Sequence, residues 1–418
     1  MKQEKKCKTM IMNGNKNIKV LAATILSMSL LTVMAGAAVA PALGAVKAYF
    51  ADADPLLVQL VVSMPALFII LTNLIFPLLC RHLRTRTIAV IGLLLYVVAG
   101  SGAFFADSLG MLLTLRALLG VSVGLIMPLS TGLLAYYFPP EEIAGLMGLS
   151  AAMNQMGGVV ATLLAGLLAA VQWNYAFLVY LIGLIALLMV LIFLPNEKMG
   201  ERQPKSAASH KRQEAGEDGV LSSKWAVLKR FHPSVVGMLL LMTIFFVYPT
   251  NFALTASENG MSANMITYIM VGLDVVAFFV GLVFGKLMQG FRTSIKYFCP
   301  IGFLAGYTLL AFVPSLGGIM AGSVFIGIAN GIGVPYLNTI ASIKGGKEST
   351  TTVMPMLSAA LYLGQFLSPL IVLPLKGLFG SADIYGAYKI AVLLCIIFIV
   401  QTFVTRRFHF LPPQNNNQ

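Results

Sequence analysis

The segment Arg116-Ala-Leu-Leu-Gly120-Val-Ser-Val-Gly124-Leu-Ile-Met-Pro128 holds one arginine inside an apolar run, followed by two glycines four residues apart and a proline. About 207 residues later, Gly327-Ile-Ala-Asn-Gly331-Ile-Gly-Val-Pro335 repeats this spacing. Glycines four apart share one helix face, so a neighbouring backbone can approach closely there. Each proline weakens its helix toward the far end. Two such membrane helices half a chain apart indicate a duplicated transporter.

The composition places the chain in a bilayer. Of its 418 residues, 58% are hydrophobic and 10% charged, with a mean hydropathy of +0.87. Soluble domains carry about 25% charged residues. Apolar windows of roughly 20 residues, each long enough to cross a bilayer as a helix, recur from near residue 18 to near residue 405. We count twelve, which predicts an all-α polytopic protein of the cell membrane.

The net charge of +13 is distributed asymmetrically. In the predicted topology 24 of the 28 Lys and Arg lie on one membrane side, and Lys47, Lys376 and Lys389 lie on the other. This is the positive-inside pattern, and it predicts that both termini are cytoplasmic. No basic patch is interleaved with exposed aromatics, so nucleic acid is not an expected partner. The four cysteines show no paired spacing, and neither a disulfide framework, a metal site nor a cofactor is expected.

The first forty residues allow two interpretations. A lysine-rich start, an apolar run and Ala35-Gly-Ala-Ala-Val-Ala40 together imitate a secretory signal peptide. Cleavage leaves eleven spans and an unmatched first half. Retention leaves six plus six, in agreement with the internal repeat, and we favour a retained first helix near 18–40.

The expected organisation is two six-helix bundles joined by a polar linker. A second internal match supports it, because Leu149-Ser-Ala-Ala-Met153 recurs as Leu357-Ser-Ala-Ala-Leu361 at an offset of 208. A short loop containing Glu141 and Glu142 is expected before helix 5, and helices 10 and 11 are expected as separate spans near 317–342 and 352–375. The predicted parts are an N-terminal tail 1–17, a bundle 18–194, a cytoplasmic linker 195–232, a bundle 233–405 and a tail 406–418.

With these motifs the chain resembles the major facilitator superfamily of secondary transporters. Arg116-xxx-Gly120-xxx-Gly124 is similar to that family's fourth-helix motif, and Tyr137-Phe-Pro-Pro-Glu-Glu142 to its passage into helix 5. Gln172-Trp-Asn-Tyr-Ala-Phe177 resembles its entry into helix 6. The antiporter signature of helix 5 (Gly-Pro-xx-Gly-Gly) is absent apart from a partial match in Met153-Asn154-Gln155-Met-Gly157-Gly158. Within the family, the assignment leans toward the drug/proton antiporter branch. The resemblance implies two pseudo-symmetric six-helix bundles.

One family motif departs from the pattern. Between helices 2 and 3 the family carries Gly-xxx-Asp-Arg-x-Gly-Arg-Lys/Arg, whereas this chain has Cys80-Arg81-His-Leu-Arg84-Thr-Arg86. The arginines persist, and the glycines and the aspartate are absent. In the family that aspartate helps to latch the outward-open state, so a different gate chemistry is expected here.

Two ionisable residues lie within predicted spans, where each costs about 2.5–3.5 kcal/mol on insertion scales. Arg116 lies about seven residues into helix 4, roughly 10 Å deep. It is either a cavity cation with the coupling role that the resemblance implies, or a permanently paired tie between helices. Asp274 lies near the middle of helix 8. It is either a proton carrier or a helix–helix hydrogen-bond partner.

Further candidates are polar or small residues in spans. Interhelical bonding explains each polar side chain at least as well as substrate contact. The candidate substrate or coupling residues are Arg116, Asp274, Asn330, Gln365, Asn154 and Gln155. The candidate packing and gating residues are Gly120, Gly124, Pro128, Gly327, Gly331, Pro335, Arg81, Arg84 and Arg86.

An enzyme is not expected. Gly120-Val-Ser122-Val-Gly124 formally matches a hydrolase elbow, but it lies mid-helix and all four histidines are in predicted cytoplasmic segments. The expected function is proton-coupled efflux of a small organic molecule by a monomer in the lipid bilayer. Uptake or exchange of an organic anion at Arg116 is the alternative, and a non-transporting sensor or scaffold is the alternative from another class.

Overall fold

The computed structural model describes residues 2–138, 140–196, 217–377 and 383–406, which fold into helices and short connections. Within these residues twelve helical segments are long and apolar enough to cross a membrane. Hydrocarbon offers backbone N–H and C=O groups no water, and a helix satisfies them internally. The prediction of an all-α membrane protein with twelve spans is confirmed.

The α-helices are numbered in chain order. Their bounds are α1 Lys2–Ala37, α2 Leu43–Tyr49, α3 Pro55–His82, α4 Thr85–Gly102, α5 Leu109–Tyr137, α6 Pro140–Ala169, α7 Gly183–Phe193, α8 Glu217–Glu258, α9 Ala263–Phe291, α10 Phe298–Phe312, α11 Leu316–Lys376 and α12 Gly386–Val404. Four 3-10 segments accompany them, at Ala40–Ala42, Ala103–Phe105, Trp173–Ile182 and Arg292–Tyr297. The first span runs through α1 and α2, the sixth joins Trp173–Ile182 to α7, and α11 contains the tenth and eleventh spans.

Three local expectations differ from the structure. The loop around Glu141 and Glu142 is wrong, because α6 begins at Pro140, where a proline fits the first helical turn. The expected break between spans 10 and 11 is also wrong, since α11 continues from Leu316 to Lys376. Helix α8 starts at Glu217, so residues 217–232 of the predicted linker are helical. The extension of α8 contains good helix formers such as Lys, Leu and Glu, which continue a helix beyond its apolar part.

The internal repeat extends to the way spans 4 and 10 begin. Ser108 Oγ accepts a hydrogen bond from the Met111 amide at 3.2 Å and caps α5. Ser315, 207 residues further on, caps α11 through the Gly318 amide at the same distance. A serine in this position satisfies one of the free N–H groups of a first turn. The two caps fix both helices in the same register relative to their glycine motifs.

Contacts divide the chain into two compact units. In the first, Met1–Val39 with Leu67–Arg202, α1 packs on α5, α6 and α7, and α4 packs on α5 and α7. In the second, Ala40–Ala66 with Gln203–Gln418, α11 packs on α8, α9 and α10, while α12 packs on α8 and α10. The segment Ala40–Ala66 joins this unit because α2 packs on α8. The domain boundaries given above stay a prediction.

Candidate functional site

Arg116 is the largest buried polar side chain of the first unit, with 1% of its surface exposed. Its Nη1 donates to the Tyr180 hydroxyl at 2.6 Å, and its Nη2 donates to the main-chain oxygen of Ala35 at 2.6 Å. The Tyr180 hydroxyl donates to the same Ala35 oxygen at 3.0 Å. Three spans, the first, fourth and sixth, are therefore tied together around one guanidinium.

Hydrogen bonds to neutral oxygens compensate the cost of burying this charge. A hydrogen bond from a charged donor contributes about 1.5–3 kcal/mol, so two offset an insertion cost of about 2.5–3.5 kcal/mol. The Arg116 guanidinium also lies 5.9 Å from the centre of the Tyr180 ring, in cation–π range. In this conformation the arginine ties helices together and does not face open space.

The second unit has hydroxyl groups where the first has the arginine. Ser323 stands 207 residues after Arg116, and Tyr388 stands 208 residues after Tyr180. Ser323 donates to the Ile319 main-chain oxygen at 2.9 Å, so the Tyr248 hydroxyl donates the 2.8 Å bond that joins these two side chains. Both are buried. The duplicated halves therefore differ at this repeat-related position, with a cation in the first and a neutral hydroxyl in the second.

Asp274 lies in α9 and is half-buried. Tyr248, which is hydrogen-bonded to Ser323, lies within electrostatic range of Asp274. Across the twelve spans formed by the described residues, the other acidic residue is Glu258, at the last position of the seventh. Asp274 is therefore the acidic residue of the described spans that combines a central position with a half-buried side chain.

The candidates of helix 5 belong to a polar row between α1 and α6. Asn154 Oδ1 accepts a bond from Thr32 Oγ1 at 2.8 Å. One turn away, the hydroxyls of Ser29 and Ser150 lie 2.7 Å apart. Gln155 is exposed on α6. Asn154 thus has an interhelical partner, while Gln155 is available to the surroundings.

Asn330 and Gln365 both lie in α11. The Asn330 side chain is half-buried, and its Oδ1 is buried without a hydrogen-bond partner among the described residues. Gln365 is 7% exposed. An unpaired buried amide oxygen is costly, which makes Asn330 the stronger candidate for contact with a ligand or water.

The glycine candidates lie at close helix contacts. A Cβ at Gly124 would come 2.6 Å from Thr72 Cβ, and one at Gly327 would come 2.7 Å from the Leu273 main-chain oxygen. At Gly331 the Ala277 oxygen would be 2.6 Å away. Gly120 is buried, and both Pro128 and Pro335 lie inside helices that continue beyond them.

The basic turn between α3 and α4 is described in part. Arg86 Nη2 donates to the main-chain oxygen of Leu191, which connects this turn to the end of α7. Arg84 is exposed at the N-cap of α4. The side chain of Arg81 lies outside the described residues.

The sequence analysis missed Ala35, Tyr180, Tyr248 and Ser323. Ala35 contributes only a main-chain oxygen and leaves no signal in the sequence. Ser323 could have been found from the sequence, because it stands 207 residues after Arg116, at the offset of the internal repeat.

Comparisons with known proteins agree with this architecture. The "Quinolone resistance protein NorA" of Staphylococcus aureus strain MSSA476 is 26% identical over 348 residues, which cover 77% of this chain and 81% of that protein. A solved D-xylose-proton symporter superimposes with a TM-score of 0.72 at 14% identity, covering 96% of this chain and 99% of its own. A solved nucleoside transporter NupG gives 0.71 at 12% identity, covering 94% and 100%. At such identities the two structures establish the fold.

The family itself follows from a match over most of the chain. The description "Major Facilitator Superfamily" matches residues 25–369, from the first span into the eleventh. The resemblance inferred from the arginine and glycine motif is confirmed. The chain therefore belongs to the major facilitator superfamily of membrane transporters.

Proposed function

We propose that the chain exports a small, mostly apolar organic molecule in exchange for protons. The observation that carries this proposal is the position of Asp274, an acidic side chain in the middle of a span and partly accessible. A carboxylate there is disfavoured while charged, and a proton removes the charge. Alternating access then allows the group to take up a proton on one side and release it on the other.

Export is the direction that the relative supports. The name of the staphylococcal protein refers to quinolone resistance, and removal of an antibacterial from the cell is one way to produce resistance. The 22 Met and 26 Phe of this chain supply adaptable apolar surface, which suits a permissive binding site. A quinolone is therefore the first substrate to test.

Arg116 has a positioning role in this proposal. Its bonds to Tyr180 and Ala35 hold the first, fourth and sixth spans together in the present conformation. Direct binding of an organic anion at Arg116 requires the guanidinium to leave these partners, since it is 1% exposed. This burial supports a positioning role for Arg116 rather than direct binding of an anion there.

The test is flux of a fluorescent quinolone in proteoliposomes with pH gradients of each sign. Wild type should transport the quinolone faster when protons can flow down their gradient in the opposite direction. Asp274→Asn should reduce this stimulation of flux at least about tenfold. Asp107→Asn, the same substitution at an exposed residue outside the spans, is the matched control. A wild type indifferent to the gradient would exclude proton coupling. An unchanged gradient response in Asp274→Asn would exclude Asp274 as the carrier.

We further propose a monomer with both termini in the cytoplasm. The asymmetry of Lys and Arg supports this orientation. Terminal tags on intact cells should resist proteases added outside, and cleavage of either tag would contradict the topology.

A further inference from the structure

The lysines at the two membrane ends of the second unit have different neighbours. At the end that the charge pattern assigns to the outside, Lys47 Nζ lies 2.5 Å from Glu258 and Lys389 Nζ lies 2.6 Å from Asp383. The protein itself supplies the counter-charges there. At the opposite end, the basic residues near the start of span 9 and just after span 12 have no such carboxylate neighbour among the described residues.

Lys296 and Arg406 lie together at that end, just before α10 and just after α12. Lys296 Nζ reaches the main-chain oxygen of Arg406 at 3.5 Å, the upper limit for a hydrogen bond, and the two cationic groups repel each other. Neither forms an ion pair with a carboxylate within the described part of the chain. Among the described residues, this pair has no counter-charge of the kind that the outer lysines have.

Both helices expose apolar side chains beginning two residues from these cations. On α10 these are Phe298 and Ile301, and on α12 they are Ile397, Val400 and Val404, spaced as one helix face. In a bilayer such side chains contact acyl chains. The cations therefore lie where a phospholipid headgroup would be, and the exposed apolar side chains lie where its acyl chains would be.

We propose that the inner ends of α10 and α12 bind one anionic phospholipid, whose phosphate lies between Lys296 and Arg406. The phosphate supplies the missing counter-charge, and the acyl chains lie along the exposed residues of the two helices. Anionic headgroups gain about 1 kcal/mol per nearby Lys or Arg, and basic crevices between spans on the cytoplasmic side suit them. The proposal is independent of what the chain transports.

The test is native mass spectrometry of the full chain titrated with phosphatidylglycerol, or with phosphatidylcholine of the same acyl chains. Wild type should retain one phosphatidylglycerol more tightly than phosphatidylcholine. Lys296→Gln and Arg406→Gln should each weaken that binding about fivefold, and the double variant about thirtyfold, at about 1 kcal/mol per charge. Lys286→Gln, which removes an exposed lysine of α9 at the same membrane side, should leave the affinity unchanged.

Arg406 is exposed, so its variant reports on binding even if the double variant fails to fold. Lys296→Arg keeps the charge and should keep the affinity. The proposal is overturned if Arg406→Gln binds phosphatidylglycerol as wild type does, or if the two lipids bind equally. Displacement by millimolar glycerol 3-phosphate would also overturn it, since the site would then hold a soluble phosphate.

Discussion

The guanidinium of Arg116 and the hydroxyl of Tyr180 converge on one acceptor, the main-chain oxygen of Ala35. The main-chain oxygen of an alanine thus accepts a hydrogen bond from the buried charge. Because the acceptor is backbone, no substitution at position 35 removes it, and the arrangement is sensitive mainly to Arg116 and Tyr180.

Tyr180→Phe should destabilise the protein by about 1–3 kcal/mol, since it removes the hydroxyl that accepts a hydrogen bond from the buried Arg116 guanidinium. The free energy of unfolding in detergent, from titration with a denaturing surfactant, measures this. Tyr175→Phe is the control, because the described residues give the Tyr175 hydroxyl no partner and its ring stacks on Phe104 at 5.7 Å. Equal losses from both substitutions would contradict the assigned bond.

Gly331→Ala should destabilise by about 1–3 kcal/mol, because the new Cβ would lie 2.6 Å from the Ala277 oxygen and would force α11 away from α9. Gly272→Ala, in α9, meets nothing within 4 Å and should be neutral or stabilising by up to about 1 kcal/mol. Thermal unfolding of both variants provides the comparison. If Gly331→Ala proves as stable as Gly272→Ala, the close approach is not required.

Gln59 and Asn251 should be energetically coupled. Gln59 Nε2 donates to Asn251 Oδ1 at 2.8 Å, both side chains are buried, and Gln59 Oε1 has no partner among the described residues. In a double-mutant cycle with leucine at both positions, we expect a coupling energy of about 0.6–1.7 kcal/mol. Gln59→Leu combined with Ser323→Ala is the control, because these two residues share no hydrogen bond. Additive losses at Gln59 and Asn251 would refute the bond.

The Asp383–Lys389 pair should contribute stability that depends on pH. The hydrogen bond from Lys389 Nζ, at 2.6 Å, lowers the pKa of the Asp383 carboxyl below its ordinary value, and the Tyr385 amide at 2.9 Å assists. A lowered folded-state pKa means that the contribution is complete above the unfolded pKa of about 3.9 and is lost as the pH falls through the folded value. The pair is partly exposed, so we expect at most about 1 kcal/mol.

Melting temperatures of wild type and Asp383→Asn, compared from pH 7 down to pH 3, test this. The difference should be constant near neutrality and should shrink below about pH 4. Lys389→Gln should give the same profile, since it removes the other member of the pair. A difference that grows on acidification would show that the sign is wrong.

Much of the architecture could be predicted because the bilayer imposes it. Spans of apolar residues long enough to cross a membrane have few alternatives to helices, and the repeat from Gly120 to Gly327 revealed the duplication. Arg116 and Asp274 could be identified because charged residues are rare within apolar segments. These signals are local or periodic, which is why a single sequence contains them.

The hydrogen-bond partners of the buried polar residues could not be predicted, because they are distant in the sequence and follow no pattern. Ala35 acts through its backbone, and the Gln59–Asn251 bond joins side chains 192 residues apart that share no pattern. The continuity of α11 was missed because its charged middle, near Lys344 and Lys347, was interpreted as a loop between spans. Charge ends a membrane crossing, but it does not end a helix.

The 3-10 winding of Trp173–Ile182 affects how the sixth span fits its membrane. A 3-10 turn rises about 2.0 Å per residue and an α turn about 1.5 Å, so these ten residues reach about 5 Å further than they would as α-helix. The span therefore covers the thickness of a segment about three residues longer. Wound entirely as α-helix, the 21 residues of Trp173–Phe193 would rise about 31 Å, close to the roughly 30 Å of the hydrocarbon core. The 3-10 turns therefore make the span longer than a perpendicular crossing needs, and its tilt should depend on the acyl-chain length of the host membrane.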